Sequence, residues 1–214
     1  MNNIPTVLKH IERIHEAYSQ DSLDPFKRPI EIDDLVTATE TYYSDRNLQI
    51  SINAAKSDPL NGRILGMYLR QGNEVQIVHA QEGDWPNHCF KRVIIAKEMI
   101  HIPLDNEDSF TNKAGDLLEQ IALHLRQYVP KQDPLSRQKN ADELASFLGV
   151  LLLIPFNEII ESKAQVDAEN NGIGYPEIAE RYKVPLAFVE HLLSESILDF
   201  LRDQKKLSDK INLD

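Results

Sequence analysis

A chain of 214 residues can bury a real core as one large domain or two small ones, and 42% hydrophobic with 27% charged residues is a globular composition. The formal net charge of -11 excludes a broad phosphate-neutralising surface, so nucleic acid is not an expected partner. No stretch approaches the roughly 20 apolar residues of a membrane span, the first ten residues lack the pattern of a secretory leader, and the single cysteine, Cys89, excludes an internal disulfide. These features predict a cytoplasmic protein without membrane contact, with Cys89 as a buried small residue.

In chain order, Ile4, Val7, Leu8, Ile11 and Ile14 recur at helical spacing and predict a helix from Ile4 to Tyr18. A loop with Pro25 and Pro29 follows, then a second helix from Glu31 to Tyr43. The period then shortens. Leu48 to Ile52 alternates, Ile64 to Arg70 and Val75 to Val78 flank a turn at Gly72, and the expectation is a three-stranded antiparallel meander.

After the break at Gly83-Asp-Trp-Pro86, Cys89 to His101 reads as a helix stopping near Pro103. Ser109 to Val129 reads as another, followed by a polar linker over 131–140. Asn140 or Asp142 is positioned to cap the next helix, which runs to Pro155. Further helices are expected over Asn157 to Lys163, Pro176 to Tyr182 and Leu186 to Arg202, with fraying after Lys205. Helices around one short sheet place the chain in the α+β class, mostly helical.

The chemistry concentrates in Arg92-Val-Ile-Ile-Ala-Lys-Glu-Met-Ile-His101. Zinc hydrolases of the H-E-x-x-H kind set two His ligands four residues apart on one helix face, with the Glu as general base toward metal-bound water. Here the five positions read Lys97-Glu98-Met99-Ile100-His101: the Glu and the second His stand, and Lys97 occupies the first ligand position. E-x-x-H alone is a common surface pair. The helix is otherwise apolar, through Val93, Ile94, Ile95, Ala96, Met99 and Ile100, and its ionisable groups therefore need partners. Glu143, on a later helix, is a carboxylate of the kind that supplies a third ligand when two His come from the first.

These pieces resemble the ImmA/IrrE family of metallopeptidase-like proteins. Arg92, Ala96, Glu98 and His101 match that family's Arg-x-x-x-Ala-His-Glu-x-x-His helix, Glu143 and Phe147 keep the spacing of its second motif, and Leu152-Leu-Ile-Pro155 is similar to that motif's end. The segment from Ile178 to Val189 resembles the family's helix-turn-helix-like C-terminal element. The resemblance spans residues 30 to 193 and implies a zincin-like domain over 31–165, preceded by an N-terminal helix and loop over 1–30 and followed by a helical element over 166–214. It implies His101 and Glu143 as metal ligands and Glu98 as catalytic base, if the protein is active.

An ammonium with reference pKa near 10.4 has no lone pair to offer zinc at neutral pH, and its charge opposes the metal. The expected site is therefore a charge cluster of Lys97, Glu98, His101 and Glu143, with Lys97 in the place of the metal and no cofactor. The implied function is a non-catalytic regulator that binds a protein partner of the repressor type. Two alternatives stand: an active zinc endopeptidase with a substituted ligand, and a DNA-binding regulator using residues 176–193, whose second helix offers Glu190 and His191 but no Arg or Lys. His88, His124 and Asp105 are the spare ligand candidates; His10, His15, His79 and His191 receive no role.

Overall fold

The structure, a computed structural model, describes residues 3–21, 24, 27–55, 66–80, 88–104, 137–168 and 172–213. The expected helix over 109–129 and all but the end of the polar linker lie outside them. The described residues form eight helices and one three-stranded sheet, so the α+β reading holds. The helices are α1 (Asn3–Asp21), α2 (Ile32–Tyr42), α3 (His88–Leu104), α4 (Arg137–Leu153), α5 (Phe156–Asp167), α6 (Tyr175–Tyr182), α7 (Leu186–Leu192) and α8 (Glu195–Ser208); the strands are β1 (Gln49–Ala55), β2 (Gly66–Gln71) and β3 (Glu74–Ala80).

The sheet differs from the antiparallel meander expected. Its order is β1-β3-β2, with β2 antiparallel to β3 and β1 parallel to it. Gly72, at φ 62 in the tight turn, fixes the hairpin, as its position between two alternating runs predicted. Alternation decides which face of β1 is buried. It leaves direction and neighbour undetermined, and β3 takes the centre with its Val75 and Ile77 buried.

α3 stops at Leu104, beside Pro103 as expected, with the proline inside its last turn. Other boundaries moved. α4 begins at Arg137, so Asn140 and Asp142 fall within the helix instead of capping it. The single helix expected over Leu186 to Arg202 is two, divided at Leu193 and Ser194, and α8 continues past Lys205 to a fully buried Ser208 instead of fraying. Cys89 is partly exposed rather than buried.

α3 and α4 form the centre. α3 buries Val93, Ile95, Ala96, Met99, Ile100 and Ile102, and α4 buries Leu144, Ala145, Leu148 and the run from Val150 to Leu153. They approach closely because position 149 is glycine: a Cβ there would lie 2.7 Å from the Lys97 backbone nitrogen and 3.0 Å from the Ala96 carbonyl carbon. At Pro155 the chain turns by 82° from α4 into α5, and no single helix among the described residues is long and apolar enough to cross a membrane. One continuous apolar cluster runs from Ile4 of α1 to Leu201 of α8.

Candidate functional site

Lys97, Glu98 and His101 share one stretch of α3, and the fold brings the start of β2 against it. Glu98 is buried at 3% exposure. Its Oε1 accepts a hydrogen bond from Lys97 Nζ at 3.1 Å, and its Oε2 lies 3.7 Å from His101 Nε2. Behind the carboxylate stands Gly66: a Cβ at that position would sit 2.6 Å from Glu98 Oε1 and 2.6 Å from Ile94 Cγ2. The glycine is thus the space into which the carboxylate fits.

Tyr68, two residues along the same strand, sets its ring 5.5 Å from the His101 ring, centroid to centroid and tilted by 34°. Cross-strand partners share a face, and Gly66 pairs with the buried His79, so that His lies on the sheet face turned toward α3. Its Nδ1 is 2.7 Å from the Ala80 carbonyl, which it satisfies as donor. Tyr68, Gly66 and His79 are the parts of this region that sequence reading missed. The signal was the period-2 pattern itself, which puts positions 66 and 68 on the face opposite exposed Met67 and Leu69.

Glu143 belongs to α4, and its side chain lies outside the described residues, as do Asp105 and His124. His88 is exposed at the first turn of α3. Arg92 is placed away from the carboxylate. It is 5% exposed, donates from Nη2 to the Ile30 carbonyl at 2.7 Å and approaches Glu31 at 3.4 Å. Burial works against its charge, with Glu31 offsetting part of that cost. It ties the loop before α2 to α3.

Two other histidines without an assigned role at the sequence level are built into the fold. His10 follows the apolar stripe of α1, and its Nδ1 lies 2.8 Å from the Tyr42 hydroxyl and 3.3 Å from that of Tyr43. Burial, with the Arg46 charge adding to it, pushes this imidazole down to about 4. His15 Nε2 is 3.0 Å from the Leu152 carbonyl, and burial lowers its pKa as well.

Among the described residues no group of three or more His, Cys, Asp or Glu side chains is gathered to hold a metal ion. On α3, Lys97 presents an ammonium, which has no lone pair for zinc, and Glu98 is enclosed by that ammonium and Gly66. What this arrangement does is set one buried carboxylate between a lysine and a histidine. No family model, curated protein or solved structure matches this chain.

Proposed function

We propose that this protein is a non-catalytic regulator on a metallopeptidase-like scaffold of the ImmA/IrrE type, in which the Lys97 ammonium stands in for the metal and the protein acts by binding another protein, a repressor-type regulator. One observation supports the reading above others: Lys97 Nζ is 3.1 Å from the carboxylate of Glu98, the residue that the scaffold's active members would use as base. A carboxylate so paired has one oxygen committed to a cation, and without zinc nothing lowers the pKa of a water toward neutrality. Activity by the metal-water route is then lost while the helix and its packing are kept.

Metal analysis of the wild-type protein beside Lys97→His, each with a peptidase assay, tests this. Wild type should purify without stoichiometric metal, and the variant should gain zinc. Stoichiometric zinc in the wild type would overturn the proposal.

A further inference from the structure

Along α8 the inward-facing stripe changes character. Ile197, Leu198 and Leu201 are buried and apolar, but the next inward positions are Gln204 and Ser208, one turn apart and 8% and 0% exposed. Gln204 Oε1 and Ser208 Oγ have no hydrogen-bond partner among the described residues. Leu207, between them in sequence, is 45% exposed. The second half of α8 therefore points polar atoms inward and a leucine outward, the reverse of what holds a helix to a core.

A buried polar atom without a partner is unfavourable when docked and gains water when released, so these two side chains bias the segment toward opening. Lys205 ties the same segment to α1 through Glu12 at 2.6 Å, an ion pair with both side chains partly exposed. Pairs of that kind hold weakly. The first half of α8 has no comparable defect: Leu198 and Leu201 are fully buried.

We propose that α8 from Arg202 onward is a releasable strap, which undocks from α1 as a unit while Glu195 to Leu201 stays in place. Through Lys205 the strap reaches the edge of a groove of about 870 Å³ that runs beside α1 and is also lined by Glu12, Glu16, Arg181 and Tyr182. Lifting it withdraws Lys205 from that groove and leaves the Glu12 carboxylate with the more distant Lys9, at 3.8 Å against 2.6 Å to Lys205, so release both widens the groove and makes it more acidic. The device uses none of Lys97, Glu98 and His101 and stands whether or not those residues act as proposed.

Hydrogen exchange of the full chain, followed by mass spectrometry in wild type and Ser208→Ala, decides it. Deleting an unpartnered buried hydroxyl adds no bulk and removes a reason to open. Exchange over 203–213 should slow about tenfold, beyond the about twofold that the helix propensity of Ala supplies, with 195–201 unchanged. Gln204→Leu should act in the same direction. Faster or unaltered exchange over 203–213 in Ser208→Ala would show a satisfied hydroxyl and overturn the strap, as would wild-type exchange that is uniform across both halves of α8.

Discussion

At Lys97 the ammonium and the carboxylate of Glu98 have side-chain exposures of 12% and 4%, so neither is free to exchange its partner for water. Removing one member of such a pair strands the other. Lys97→Ala should therefore cost about 3 kcal/mol in urea unfolding, whereas Lys97→Met combined with Glu98→Gln should recover most of that loss; an unchanged midpoint in the single variant would remove the cation's structural role. The glycines are equally specific. Gly149→Ala places a methyl 2.7 Å from the Lys97 backbone nitrogen, which cannot rotate aside, and should cost about 2–3 kcal/mol by the same measurement. How much of the site was legible follows from what each residue signals: Lys97, Glu98 and His101 were found because three and four residues on a helix share a face. Gly66 and Tyr68 were not, because their contact with α3 depends on how the sheet packs, and a glycine whose use is to make room has no side chain to announce it.

Between elements, the join of α1 to α2 runs through His10. Its imidazole is neutral and lies 2.8 Å from the Tyr42 hydroxyl, and its pKa falls from 6.5 to about 4 on folding. Because the folded state resists the proton that the unfolded chain accepts, the contribution is fully present above pH 6.5 and is lost as pH falls toward 4. The loss reaches at most about 3 kcal/mol. A His10→Gln variant should show a shallower decline of unfolding free energy over that window than the wild type, and parallel curves would contradict the assignment. Element positions were largely readable, since α1 buries the same five apolar residues its spacing marks and the Gly72 hairpin is where its turn residues put it. Strand direction was not, because a one-chain pattern contains no information on which neighbour completes the hydrogen bonds of β1.

Across the whole molecule, the loop before α2, the start of α5 and the end of α6 meet in one partly buried network. Arg28 holds Glu158 through both Nε and Nη2, and the Tyr182 hydroxyl donates to the same carboxylate at 2.9 Å. These residues are 130 and 24 positions apart, so Glu158→Ala should loosen all three segments together. We expect a loss of about 3 kcal/mol with a single unfolding transition; separate transitions by fluorescence and circular dichroism would mean that the segments unfold independently. The sheet order has a consequence in time. Among the described residues every strand contact involves β3, the last of the three strands, and β1 meets it across pairs such as Gln49 with Glu74 whereas the hairpin closes over two residues. Loop closure favours the short connection. A chain emerging from the ribosome holds β1 unpaired until β3 arrives, and the hairpin then offers the template on which it docks. Mutations in β1 should accordingly speed unfolding and leave the folding rate nearly unchanged, while those in the hairpin slow folding.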